Sequence, residues 1–354
     1  MNGTLNGTQL DNATLAMFKD NTTSYVVAAV YIIIFLINVP GNSISLWLLL
    51  FRTFPKTPSI IFMINLTLTD LAVGSALPFQ IIYQLNGYNW TCGPTMCSFM
   101  TVLFYANMYC SILTMTAISV DRYLGIVQPI HFKVMRGRKE CAVIGCIFMW
   151  AIVLSALFPL EGTDLTYEVK DLNITTCFDV LKKDMLPDIT HWAIFLFTLS
   201  FVLFLVPFIV TVICYVSIIR ELVRTSKSHQ KGTALRLAFI VLFVFIICFA
   251  PNNIILIAHA VRRLFYNKSL YMAYKLSLSL SCVNSCLDPF IYYFASKEFR
   301  RKLRRMLNLR STSSTEVHET EHRRDSMFSA QSANSPTEAE DARAPISTNN
   351  ESNL

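Results

Sequence analysis

Seven stretches of the chain are long, apolar and nearly free of charge. They run Ser24–Phe51, Thr57–Tyr88, Thr91–Val120, Cys141–Leu160, Ile189–Ile219, Leu237–Val261 and Leu276–Ser296. Each reaches the ~20 residues that a helix needs to cross a hydrocarbon core. No water reaches that core, so a chain crosses it only where its backbone groups bond one another, in helices or in a closed barrel. Stretches of this length predict helices. The fold class expected is an all-α membrane protein, a bundle of seven transmembrane helices. Composition agrees: 53% of residues are hydrophobic and 15% charged, which excludes an ordinary soluble domain.

Lysine and arginine set the orientation. Arg52 and Lys56 lie in the first linker, Lys133, Arg136, Arg138 and Lys139 in the third, and Arg220, Arg224, Lys227, Lys231 and Arg236 in the fifth. The last stretch is followed by "KEFRRKLRRMLNLR", whereas the N-terminal tail holds Lys19 alone. Basic residues stay on the cytoplasmic side. The N-terminus is therefore expected outside the plasma membrane and the C-terminus inside. The net charge of +7 is then an orientation and lipid-surface signal, not the mark of a nucleic-acid partner. The first 20 residues hold no apolar core, so no cleavable signal peptide is expected. Glycosylation sequons fit this topology: Asn2, Asn6, Asn12 and Asn21 in the tail, Asn89, Asn173 and Asn267 in or near the outer loops. Those at Asn65, within a span, and Asn350, in the cytoplasm, are expected to go unused.

The layout expected is a glycosylated extracellular tail over 1–24 and a membrane domain over 25–296. An amphipathic helix follows over 297–310, with Phe299, Leu303, Met306 and Leu307 on the face turned to the inner leaflet. The Ser/Thr-rich remainder, 311–354, is expected to be disordered, and "STSST" and "RRDSMF" in it read either as kinase substrates or as plain solvated tail.

Most cysteines (Cys110, Cys146, Cys214, Cys248, Cys282 and Cys286) fall within spans, where they pack as small apolar groups. Cys92, Cys97 and Cys177 are on the oxidising side. Cys97 opens the third span and Cys177 lies in a long outer loop, so these form the expected pair; Cys92 with Cys177 stays open as the alternative.

Charge inside the membrane is costly and points to function. Asp70 and Asp288 are placed there, with Asn42, Asn107, Ser111, Asn284 and Ser285 supplying further polar atoms at that depth. Such a set suits a hard cation such as Na⁺ or a shared proton; a polar packing network is the alternative. No other cofactor and no metal cluster is expected. "DRY", Asp121, Arg122 and Tyr123, closes a long span at the cytoplasmic face, where an adjacent acid can hold the arginine and release it to a partner. In "CFAPNNIILIAHAVRR" a proline, Pro251, sits inside an apolar helix. It removes a hydrogen bond and costs about 3 kcal/mol or more. Neighbouring groups must satisfy the freed carbonyls, and the kink lets one half of the helix swing.

Further short motifs occur in a fixed order: "GN" at Gly41–Asn42, "NLTLTD" ending at Asp70, "DRY", Trp150, Pro207 with Tyr215, "CFAP" and "NSCLDPFIY". With them, over about residues 25–310, the chain resembles a class A (rhodopsin-like) G-protein-coupled receptor. The resemblance implies a heterotrimeric G protein as partner, receptor kinases and arrestin at the C-terminal tail, and no enzymatic activity. It implies that Phe249 and Pro251 are the switch and hinge of span six, with Phe245 beneath, and that Asp288, Pro289 and Tyr292 form the switch of span seven. Asp121, Arg122, Tyr123 and Tyr215 would serve G-protein activation.

Phenylalanine in "CFAP" and aspartate in "DPFIY" resemble the purinoceptor, protease-activated and lipid-mediator branch. "FYANMYCSILTMTAISVDRYLGIV" and "CFDV" narrow this to the purinoceptor-like group. Its nucleotide receptors usually follow the span-six proline with a histidine and, one turn on, a lysine or arginine. This chain has Asn252, Asn253, Ile254, Ile255 and Leu256 there, and Leu278 where span seven often carries an arginine. Its cations stand higher, at Arg262, Arg263, Lys268 and Lys275, with His259 just below. Phe104, Tyr105, Met108, Tyr109, Phe178 and Tyr274 complete the expected pocket. Amides in the middle, aromatics around them and cations at the rim suit a small extracellular anionic amphiphile. The resemblance supplies the type: a lipid–peptide conjugate such as a prenyl- or leukotriene-like derivative of glutathione. Each residue also has a plainer reading: the asparagines bridge the proline's carbonyls, Arg262 and Arg263 end a helix in solvent, and Phe104 and Tyr109 are packing.

A nucleotide ligand is the alternative within the same fold. A transporter or channel is disfavoured because no repeated half is visible and seven spans do not divide evenly. A retinal photoreceptor would need a buried lysine where Cys282 stands. The resemblance suggests coupling to the twelve/thirteen class of G proteins, leading to Rho, with inhibitory or Gq coupling as the alternative.

Overall fold

The computed structural model describes residues 12–128, 139–179, 186–225, 228–266, 268 and 270–306. Of the sequence expectations, Asn2, Asn6, Asn267, residues 307–310 of the amphipathic helix and the tail 311–354 lie outside that set, as do the side chains of Asn12, Asn21 and Arg263.

Among the described residues six helices are long and apolar enough to cross a membrane: Thr22–Arg52, Pro58–Leu85, Gly93–Val127, Lys139–Glu161, Thr190–Arg224 and Ala234–Tyr266. These are spans one to six. The seventh apolar stretch is not one continuous helix, as its sequence predicts, but two shorter ones, Tyr271–Ser281 and Asn284–Ala295. Around the break the Ser281 and Ser285 hydroxyls donate to the carbonyls of Leu278 and Cys282 at 2.7 Å. The backbone answers with tighter bonds three residues apart, Val283 to Leu280 and Cys286 to Val283. Pro289, four residues after Ser285, offers no N–H to the Ser285 carbonyl. The Asn42 side chain of span one donates to that carbonyl instead, at 2.8 Å.

Spans five and six widen ahead of their prolines where span seven tightens. Wide π-helical turns, Thr198–Leu205 and Val244–Phe249, precede Pro207 and Pro251. In span six the Asn253 amide donates to the Phe249 carbonyl at 3.0 Å.

Polar groups bind the spans together. Asn38 donates to the Asp70 carbonyl at 2.8 Å, and Asn42 donates to the Asn38 side-chain oxygen at 2.6 Å. Trp150 of span four donates to Asn65 at 3.0 Å, and Asn65 donates to Thr114 at 2.9 Å. The Asn65 sequon is thus spent inside the bundle. Gly74 lets Asn38 approach: a Cβ there would stand 2.9 Å from the Asn38 amide nitrogen and 3.1 Å from Val39. Gly74→Val should therefore break the Asn38 bond and overpack the contact, costing about 1–3 kcal/mol. The check is the thermal midpoint of the purified protein in detergent. A midpoint equal to wild type contradicts this account of Gly74.

The disulfide expected between Cys97 and Cys177 is present, with Cα atoms 5.6 Å apart, and Cys92 is free and exposed. Cys177 ends a hairpin of β1, Thr166–Val169, and β2, Ile174–Cys177, antiparallel with Thr166 opposite Cys177. Asn173 stands exposed in its turn at φ 50°. Asn89 is half-buried and accepts the Thr175 N–H at 3.1 Å.

The first long helix begins a little before the boundary expected at residue 24. The helix of span one starts at Asn21, capped by Asp20, which accepts the Thr22 N–H at 3.0 Å and is held below the usual carboxylate range by that bond. Before it, Asn12–Lys19 forms a short helix whose Met17 and Phe18 are buried, with Phe18 edge-on to Tyr88 at 5.3 Å. Beyond span seven, Lys297–Met306 is an amphipathic helix. Phe299 is buried against Tyr292, while Arg300 and Arg304 stand over the Tyr293 ring at 5.7 and 5.9 Å. Met306, expected on the apolar face, is exposed.

Candidate functional site

At the disulfide end of the bundle a cavity of about 20 Å³ lies between spans one, two, three and seven and the loop that follows β2. Phe104, Tyr105, Phe178, Tyr274, Lys275 and Leu278 line it, all among the residues expected to meet a ligand. Tyr31, Gln80, Thr101, Cys177 and Asp179 line it too, and the sequence reading did not include them. A ligand pocket normally offers roughly 300–1,000 Å³, so this site is closed.

Two loop residues close it. Asp179 pairs with Lys275 at 2.8 Å, the two side chains being 3% and 6% exposed. Its other carboxylate oxygen accepts from the Tyr83 hydroxyl, which also accepts the Cys177 N–H at 3.2 Å. The Lys275 ammonium stands 5.2 Å from the centre of the Tyr83 ring. Phe178 is held at φ 56°, a left-handed conformation that costs a bulky residue about 1–2 kcal/mol. Its ring meets Tyr105 edge-on at 5.9 Å and Tyr274 at 6.5 Å, and the hydroxyls of those tyrosines bond each other across spans three and seven. Lys275 is thus not the partly solvated rim cation that its position near a span end predicts. Burial under the loop and a carboxylate from far along the chain account for the difference. The one available signal was "CFDV", a charged residue two places after a disulfide cysteine.

The other expected ligand residues lie off the cavity lining. Tyr109 donates to Asn253 at 3.1 Å, and Asn252 contacts the Met108 sulfur and accepts from Ser277, both at 3.4 Å. Both asparagines are buried and engaged with other side chains. Leu256 is buried as well. His259 stacks on Tyr274 at 5.4 Å and accepts the Leu270 N–H at 3.0 Å. Arg262 and Lys268 are exposed. A column of rings runs below: Phe249 edge-on to Phe245 at 5.9 Å, and Phe245 against Phe208 of span five at 5.7 Å.

At the bundle centre Asp70 and Asp288 are fully buried and within electrostatic reach of each other. Asn107 donates to Asp70 at 3.2 Å. The second Asp70 oxygen, both Asp288 oxygens, Ser111 and the Asn284 side chain have no hydrogen-bond partner among the described protein atoms. Uncompensated buried carboxylates are expensive, and these oxygens form a donor set that fits a hard cation. At the far end Arg122 is half-buried, and Asp121 accepts from the Ser59 hydroxyl of span two. Tyr215 is buried within electrostatic reach of Arg122, and Tyr123 is half-buried.

Comparison with known proteins supplies the frame. Residues 41–292 match the family described as "7 transmembrane receptor (rhodopsin family)". The chain is 53% identical to purinoceptor 8 of Gallus gallus over 92% of its own length and 90% of the chicken protein's. It is 50% identical to the S-geranylgeranyl-glutathione receptor of Homo sapiens, over 94% of this chain and 93% of the human one. Proteinase-activated receptor 1 of Xenopus laevis is 42% identical over 81% of this chain and 68% of its own.

Proposed function

Because the chain belongs to the rhodopsin family of seven-transmembrane receptors, multi-pass proteins of the plasma membrane, and within it to the purinoceptor type, we propose that its disulfide end faces outward and binds an anionic amphiphile. The family implies a G protein as partner and no enzymatic activity. The observation that carries the ligand reading is the charge of the cavity wall. Lys275 is its single cation among the described residues, held there by Asp179 of the loop, with aromatic rings and Leu278 around it. One ammonium suits one carboxylate beside an apolar body. A nucleotide's phosphates carry several charges and call for more cations than one. The human relative's name adds weight, since S-geranylgeranyl-glutathione joins a carboxylate-bearing peptide to a prenyl tail.

The G protein proposed is of the twelve/thirteen class, leading to Rho. The test is a panel of G-protein sensors in cells expressing the chain and challenged with a prenyl-glutathione conjugate. A response from the twelve/thirteen sensor alone is expected; a response from the inhibitory or Gq sensors alone would overturn the coupling. Receptor kinases and arrestin are proposed to act on the Ser/Thr-rich tail. For Asp70, Asn107, Ser111, Asn284 and Asp288 a bound Na⁺ or a shared proton is proposed. Either would offset the repulsion between the two carboxylates; the unpartnered oxygens support it. Sodium should then stabilise the receptor, and Asp70→Asn should remove that effect. Equal thermal midpoints of wild type in sodium and in a bulky organic cation would count against the ion.

A further inference from the structure

Asp179 and Phe178 follow Cys177 directly, so the disulfide fixes where they reach. Their placement is specific. Each Asp179 oxygen has its own donor, Lys275 on one side and Tyr83 on the other. That is the donor arrangement a free carboxylate would need. The Phe178 ring fills the aromatic space beside it, between Tyr105 and Tyr274. A carboxylate next to a large apolar group is also the chemistry of the ligand class inferred above. We propose that Phe178–Asp179 is a built-in occupant of the ligand site: Asp179 fills an anion subsite formed by Lys275 and Tyr83, and the activating ligand carries a carboxylate that takes its place.

The proposal rests on the anionic-amphiphile reading and adds to it a subsite, a ligand group and a means of restraint. The small cavity follows from it, because the pocket's contents are already present. Ligand affinity is then lowered by the fraction of receptors in which the loop has left the site. Eviction also frees the Tyr105–Tyr274 bridge from the ring that leans on it, which gives the ligand a mechanical route to spans three and seven.

Asp179→Asn keeps the size of the side chain and an oxygen to accept from Tyr83, and removes the charge that holds Lys275. Phe178→Gly empties the aromatic subsite and suits the left-handed backbone at that position. Either variant, at matched surface expression, should respond to a prenyl-glutathione conjugate at about tenfold lower concentration or less than wild type. A conjugate with its carboxylates converted to amides should lose potency on wild type. A second readout needs no ligand: acylation of Lys275 by a membrane-impermeant amine reagent, followed by peptide mapping, should be faster in both variants. Unchanged acylation and unchanged or weaker potency in both would overturn the proposal. Faster acylation, with no carboxylate amphiphile activating any form, would keep the occupant and overturn the ligand class.

Discussion

Arg122→Ala is expected to abolish G-protein activation while surface expression and ligand binding stay close to wild type. Arg122 sits half-buried near the end of span three, far along the bundle from the disulfide. Its neighbour Asp121 is engaged by Ser59 across spans two and three. Tyr215 lies buried nearby on span five. A guanidinium here presents donors that a partner helix can use once the end of the bundle opens. Alanine removes them without touching the packing around the ligand cavity. The measurement pairs surface immunostaining with a G-protein sensor in the same cells. Normal signalling at normal expression would remove Arg122 from its assigned role.

Cys97→Ser and Cys177→Ser should each reduce surface receptor severalfold and the response per receptor further. The bridge closes a separation of 80 residues and anchors the hairpin to the start of span three. Loss of a native disulfide typically costs about 2–5 kcal/mol in small secreted domains. The cost here extends to the site, since Tyr83 binds the Cys177 N–H and Asp179 lies two residues on. Cys92→Ser is the control: Cys92 is exposed and unbridged, and its loss should change neither quantity. A Cys97→Ser receptor with wild-type expression and response would show that the hairpin holds its place unaided.

The sequence made the bundle readable because membrane helices are written in composition. Prolines 207, 251 and 289 marked where helices depart from regularity. The break in span seven was harder to see, because the Ser285 carbonyl that Pro289 leaves free takes its donor, Asn42, from span one. Hydropathy carries no sign of such a contact. The two asparagines after Pro251 were ambiguous for a similar reason. Their partners, Met108, Tyr109 and Ser277, come from other spans. Lys275 was misjudged by depth. Near the end of a span it reads as a cation that reaches solvent, and only a contact across 96 positions reveals it as buried. The N-terminal helix escaped notice because its apolar run, Leu15 to Phe18, is only four residues long in a polar stretch, and the burial of Phe18 needs Tyr88 as a receiving surface.

The central claim is that this receptor answers to a carboxylate-bearing amphiphile. The most direct measurement is a pair of concentration–response curves on cells expressing the unmodified chain, read with one G-protein sensor. One curve uses a prenyl-glutathione conjugate, the other a series of nucleoside di- and triphosphates. The account predicts saturable activation by the conjugate and a flat response to the nucleotides. Activation by nucleotides with silence toward the conjugate would contradict it.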